Sequence, residues 1–303
     1  MKYYPNITVT LIIASVLVGA LSLVMPKDKE KYLGARFWAQ KTFAPAAYDI
    51  VIMGDSRVYR GLSPESMKTQ LPGLKILNFA YSNGGLNPEL FEMAEKKISQ
   101  KSRVKLIILG VSPNCITGYT QKNEQFRQEK NRSREDILER LYLNGMLYYF
   151  SATTPEAIRD QLKKKSTDSY YLNEYHANGY VASEKFPTDT LEAIPSYISD
   201  FTNYKVEERY VGKLIEQVNE WTIRGIQVVG FRPPVSAPLR ALEDTMGLFN
   251  EAALSARFTE AGGHWINFNP NRYQTYDGSH LNKASAVKLS EDLAKEIRFV
   301  ISE

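Results

Sequence analysis

Short apolar runs alternate with amphipathic stretches over most of the chain, and their order predicts the architecture. Tyr48 to Met53 reads as a buried strand ending at Gly54, and Pro64-Glu65-Ser66-Met67 opens a short helix. Leu74 to Phe79 is a second strand, followed by a helix from Asn87 to Ile98 with Leu90, Phe91, Ala94 and Ile98 at helical spacing. Val104 to Leu109 is the third. The rhythm resumes with a helix marked by Val206, Tyr210, Leu214, Val218 and Trp221, which leads through Gly225 into the strand Ile226 to Phe231. A helix from Leu242 to Phe258, a strand from His264 to Phe268, and a last amphipathic helix through Ala286, Leu289, Leu293, Ile297 and Val300 complete it. Five strands alternating with helices predict an α/β domain whose parallel sheet is covered on both faces, with ligands bound outside the carboxyl ends of the strands.

Two regions break the rhythm. Residues 7–25 carry no charge, close to the ~20 needed to cross hydrocarbon as a helix, and no small-residue cleavage site follows. An uncleaved signal anchor over residues 1–26, a juxtamembrane linker at 27–46 and an α/β domain at 47–303 follow from this. Lys2 precedes the apolar run and Lys27, Lys29 and Lys31 follow it, which by basic-residue counting alone would place the domain inside. Residues 115–203 read as an insertion over the site. They hold a basic stretch (Lys122, Arg127, Lys130, Arg132, Arg134), a helix from Arg134 to Phe150, and the tyrosine-rich segment from Tyr170 to Tyr180. Tyr170, Tyr171, Tyr175 and Tyr180 either stack on sugar rings or pack beneath a lid.

Composition excludes several classes of function. Among 303 residues, 38 Lys and Arg against 34 Asp and Glu give a net charge of +4, too dilute for a nucleic-acid footprint. The single cysteine, Cys115, excludes an intrachain disulfide and every multi-cysteine zinc site, and reads as a buried small hydrophobe. There is no Walker-type loop, dinucleotide fingerprint or His-x-x-x-His pair, so neither a cofactor nor a metal is expected.

The candidate chemistry sits at strand ends. Gly54-Asp55-Ser56 follows the first strand, placing the Ser56 hydroxyl on the strand-to-helix turn. Of the three histidines, His176 and His264 have no positioned partner and read as structural. Asp277-Gly278-Ser279-His280 lies between the last strand and the last helix, at the same edge as Ser56. One turn can join the carboxylate to one imidazole nitrogen while the other nitrogen takes the Ser56 proton, which makes a triad of Ser56, Asp277 and His280. Arg57, Arg60 and Arg232 lie at the same edge, either as anion-recognising groups or in ion pairs.

These residues resemble the SGNH, or GDSL-like, hydrolase superfamily, with Gly54-Asp55-Ser56 as the nucleophile block and Asp277-x-x-His280 as the closing block. The resemblance, over about residues 48 to 300, implies a flavodoxin-like three-layer α/β/α sandwich. It also implies an oxyanion site made by the Ser56 amide, a glycine amide after the second strand, where Gly84 and Gly85 stand, and an asparagine side chain after the third. There the chain departs from the family. Gly110-Val111-Ser112-Pro113-Asn114 puts Ser112 in the asparagine's place and leaves Asn114 as a substitute. The implied activity is that of a membrane-anchored serine esterase or O-acyltransferase on cell-surface polysaccharide or wall polymer, with the domain extracytoplasmic. The alternative is a catalytically inactive partner, or a polysaccharide-binding module, for a membrane-bound acyltransferase.

Overall fold

The computed structural model describes residues 7–24, 30–150, 159 and 169–301. The chain divides into two compact units, residues 1–40 with 132–169, and residues 41–131 with 170–303.

In the smaller unit the apolar helix Ile7–Val24 holds 18 residues without a charge. Its side chains from Ile7 through Val18 are exposed. At ~1.5 Å per residue it measures about 27 Å, against ~30 Å of bilayer hydrocarbon. Among the described residues no helix is long and apolar enough to cross a membrane. Residues 25–29, where the expected anchor ends, lie outside the described residues. The helix expected from Arg134 to Phe150 forms as Arg134–Leu138 and Asn144–Phe150, joined by a π-helical turn at Glu139–Leu143.

The larger unit holds five parallel strands: β1 (Ile50–Met53), β2 (Ile76–Asn78), β3 (Leu106–Gly110), β6 (Gln227–Phe231) and β7 (His264–Ile266). Their order across the sheet is β2-β1-β3-β6-β7, and β1 pairs in register with both β2 and β3. Ile50 to Met53 and Leu106 to Leu109 are fully buried, as the middle strands of a sheet covered on both faces must be. The first crossover runs from β1 to β2 and the next passes to the other side of β1, so the order reverses between β1 and β3. In open parallel sheets such a reversal is where ligands bind, outside the carboxyl ends of the strands.

Two groups of helices flank the sheet. Lys283–Val300 buries its stripe of Ala286, Leu289, Leu293, Ala294 and Ile297, and packs on Ser56–Gly61 and Pro64–Met67. Glu208–Ile223 packs on Pro88–Glu95 and Glu251–Glu260, with Trp221 edge-on to Phe91 at 5.3 Å.

One expectation is corrected. The helix foreseen from Leu242 to Phe258 is two helices, Ala237–Thr245 and Glu251–Glu260. Leu248 between them takes a left-handed conformation at φ 57°, and Asn250 caps the second helix through Ala253 N at 3.0 Å. The tyrosine-rich segment is an antiparallel hairpin of β4 (Tyr170–Tyr175) and β5 (Val181–Phe186) within the larger unit.

Candidate active site

Ser56 is the first residue of the helix Ser56–Gly61, immediately beyond β1. Asp55 caps that helix, its Oδ1 accepting from Arg57 N at 2.9 Å. Its Oδ2 accepts from Ser112 Oγ at 2.5 Å, which ties the loops after β1 and β3 together. Gly54 is required here. It has φ 151°, and a Cβ would meet Val58 Cγ2 at 2.3 Å and Gly110 O at 2.8 Å. Val58 can therefore wedge under the two strand ends and hold the Ser56 turn against the sheet.

The closing loop brings its residues to the same point. Asp277 Oδ1 accepts from the amides of Ser279 at 2.8 Å and His280 at 2.7 Å, so the carboxylate is fixed by its own turn. Its Oδ2 lies 2.7 Å from His280 Nδ1, and His280 Nε2 lies 2.8 Å from Ser56 Oγ. Burial pushes the Asp277 carboxyl up, but the hydrogen bond and charge of His280, with the two amides, outweigh it and hold it below its ordinary value. An ionised carboxylate can only accept, so Nδ1 carries the proton and Nε2 accepts from the Ser56 hydroxyl. That is the tautomer a serine nucleophile needs from its base.

The loop is pinned from outside. Ala193 N donates to Asp277 O at 3.0 Å and Ser236 N to Gly278 O at 2.8 Å. At Gly278, φ is 90° and a Cβ would stand 2.2 Å from Thr190 O. Tyr276, buried just before the aspartate, stacks on the His280 ring at 5.8 Å and 16°.

Of the foreseen oxyanion donors, the Ser56 amide has no acceptor among the described residues, as befits the first N–H of a helix. The glycines are corrected. Gly84 N donates to Tyr81 O at 3.1 Å and Gly85 N to Asn123 Oδ1 at 2.7 Å, so both amides are already taken. Their glycine identity follows from close packing, a Cβ falling 2.6 Å from Gly54 O and 2.3 Å from Thr120 O respectively. Ser112 is fully buried with its hydroxyl on Asp55, and does not stand in for the asparagine. Asn114, half-buried in the turn after β3, has its carbonyl taken by Thr117 and Thr120, while its side-chain amide has no partner among the described residues.

The three arginines part company. Arg57 and Arg232 take the second of the two alternatives, ion pairing, rather than facing a ligand. Both are buried on Glu243, itself 0% exposed, at 2.6 Å and 2.7 Å. Arg232 also meets Asp244 at 2.8 Å and Glu251 at 3.3 Å. Burial works against the Arg57 cation, but Glu243, Tyr197 and Asp55 outweigh it and raise its pKa. Arg57 Nε donates to Ser279 Oγ at 3.1 Å and its guanidinium lies 4.9 Å from the Tyr197 ring centre. The ion chain thus ties the nucleophile helix to the histidine loop. Glu243 and Tyr197 are the participants that motif reading passes over. The signal for Glu243 is its place four residues after the buried Leu239, on the inward face of its helix. Arg60 is held instead by the hydroxyls of Tyr59, Tyr171 and Tyr276.

His176 sits at the hairpin turn, 3.7 Å from Glu174, and His264 is exposed at the start of β7, as expected of structural residues. Cys115 is a buried free thiol whose pKa burial raises, an inert group.

No protein-family profile matches the chain, and no curated protein does. Among solved structures, one from Streptococcus pneumonia, described provisionally as a platelet activating factor, aligns over 96% of this chain and 100% of its own. The identity is 12% and the TM-score 0.34, too low to carry an argument.

Proposed function

We propose that this chain is a serine-dependent acyl-ester hydrolase or O-acyltransferase of the SGNH type. The observation that carries the reading is the unbroken chain from Ser56 Oγ through His280 to Asp277, at 2.8 Å and 2.7 Å, at the carboxyl edge of a parallel sheet. The strand order β2-β1-β3-β6-β7 supports it, being the 2-1-3-4-5 order of flavodoxin-like folds when only the parallel strands are counted.

In the proposed reaction Ser56 Oγ attacks the ester carbonyl while its proton passes to His280 Nε2, and Asp277 stabilises the imidazolium. The tetrahedral intermediate collapses to an acyl-enzyme as the alcohol leaves with that proton. Water or a sugar hydroxyl then gives its proton to His280 and attacks, releasing acid or a new ester and restoring Ser56. The Ser56 amide and the Asn114 side chain are the donors for the oxyanion.

The exposed apolar helix Ile7–Val24 supports membrane attachment. We place the catalytic domain outside the cytoplasm, acting on an acylated glycan or wall polymer. The test is turnover of short nitrophenyl esters by the full chain, with Ser56→Ala and His280→Ala as controls and oligosaccharides added as acceptors. Loss in both variants supports the reading. Acylated oligosaccharide identifies a transferase, and free acid alone a hydrolase.

A second reading rests on the occupied amides of Gly84 and Gly85. Losing one oxyanion donor costs ~2.7–4 kcal/mol of transition-state stabilisation, so a site short of a donor also suits an inactive partner of a membrane acyltransferase. Absence of turnover in wild type and variants alike selects it.

A further inference from the structure

Arg57 and Arg232 have carboxylate partners, whereas among the described residues Arg60 has none. No ion pair to Arg60 occurs among the described residues, and the groups acting on it are the phenols of Tyr59, Tyr276 and Tyr171. Phenol oxygens solvate a guanidinium without neutralising it. They also fix its direction: Nε donates to Tyr59 Oη at 3.3 Å, and Nη1 to Tyr276 Oη at 2.7 Å and to Tyr171 Oη. The second terminal nitrogen, Nη2, has no acceptor among the described residues and is not among the buried unpaired atoms, so its two N–H groups are open.

Position gives this charge its meaning. Arg60 follows Ser56 by four residues in the helix Ser56–Gly61, so the two share one face, a little over one turn or ~6 Å apart along the axis. Tyr276, which holds Nη1, is the ring stacked on His280. A permanent, uncompensated cation with a free N–H edge thus stands beside the nucleophile, kept in place by the residue that backs the base. Keeping a half-buried guanidinium without a counter-ion is unfavourable unless an anion arrives to pair with it.

We propose that Arg60 is a specificity-determining residue that binds an anionic group, a carboxylate or a phosphate ester, carried by the substrate about one helical turn from the reacting carbonyl. This rests on the reading of Ser56 as nucleophile, and selects acidic acyl esters from the broad class that the triad alone would accept. Tyr171 and Tyr276 orient the guanidinium, and Nη2 makes the contact.

The test uses the full chain and two nitrophenyl esters of equal acyl length, the neutral butyrate and the anionic hemisuccinate. The readout is the ratio of their kcat/KM values. Wild type should prefer the hemisuccinate, and Arg60→Gln should lower the ratio by about tenfold, with Arg60→Lys retaining part of it. Comparable use of both esters by wild type, or an unchanged ratio in Arg60→Gln, overturns the proposal and leaves the esterase reading standing. If neither ester turns over, the esterase reading fails and calorimetry decides the anion site alone. Succinamate and methyl phosphate are titrated against neutral butyramide, and separate carboxylate from phosphate recognition. Anion binding lost in both Arg60→Gln and Arg60→Met supports the site; none in wild type, or binding unchanged in the variants, overturns it.

Discussion

Removing Glu243 should unfold the α/β unit more readily than any loss of an exposed charge. Its carboxylate is fully buried and, among the described residues, is the one acidic side chain paired with Arg57, whose own side chain is 1% exposed. Arg232 keeps Asp244 and Glu251 when Glu243 is gone, whereas among the described residues Arg57 keeps the Tyr197 ring and hydroxyl, the Ser279 hydroxyl and the charge of nearby Asp55. Breaking a buried pair on one side costs ~3–5 kcal/mol because a charge is left unpaired. For a domain of this size ~1 kcal/mol moves Tm by about 2–4 °C, so Glu243→Ala should lower Tm by roughly 6–20 °C. Arg232→Met should cost less, since Glu243 still serves Arg57. The double variant Arg57→Met/Glu243→Leu should recover most of the loss, because no unpaired charge remains on that side. The assay is thermal unfolding of the full chain followed by tryptophan fluorescence. A cost in Glu243→Ala below about 1 kcal/mol, the value of an exposed pair, or no recovery in the double variant, would refute the ion-chain reasoning.

Gly278→Ala places a Cβ 2.2 Å from Thr190 O at a positive φ. The histidine loop must shift, and labelling of Ser56 by a fluorophosphonate should slow by about tenfold or more while the fold survives on circular dichroism. Asp277 contributes to stability through a carboxyl held below its ordinary value of 3.8. The advantage of wild type over Asp277→Asn should be complete above that pH and fade as pH falls through the lowered value, as read by urea titrations across acid pH. His264→Ala, at an exposed strand start, should leave ester turnover unchanged.

The parallel strands were legible because β1 and β3 are unbroken apolar runs ended by glycine, the pattern of strands covered on both faces. Ser56, Asp277 and His280 were legible for a related reason, since Ser56 directly follows β1, the Asp277–His280 loop lies between β7 and the last helix, and all parallel strands share one carboxyl edge. The arginines were not. Whether Arg57 faces a ligand or the interior is decided by Glu243, on a helix remote in sequence that packing alone brings near. The β4–β5 hairpin did carry a local signal, Asn178-Gly179 between strand-forming residues. Gly179 takes φ 87° and fits where a Cβ would strike Asn78 O at 1.9 Å. The break between Ala237–Thr245 and Glu251–Glu260 was hidden because apolar residues continue at helical spacing through it.

The central claim is that Ser56 is an activated nucleophile. Its most direct test is incubation of the full chain in membranes with a fluorophosphonate probe, followed by peptide mapping of the adduct. Labelling confined to Ser56, abolished in Ser56→Ala and strongly reduced in His280→Ala, is the expected result. A folded protein that takes up no probe, or takes it up equally in all three, would contradict the account.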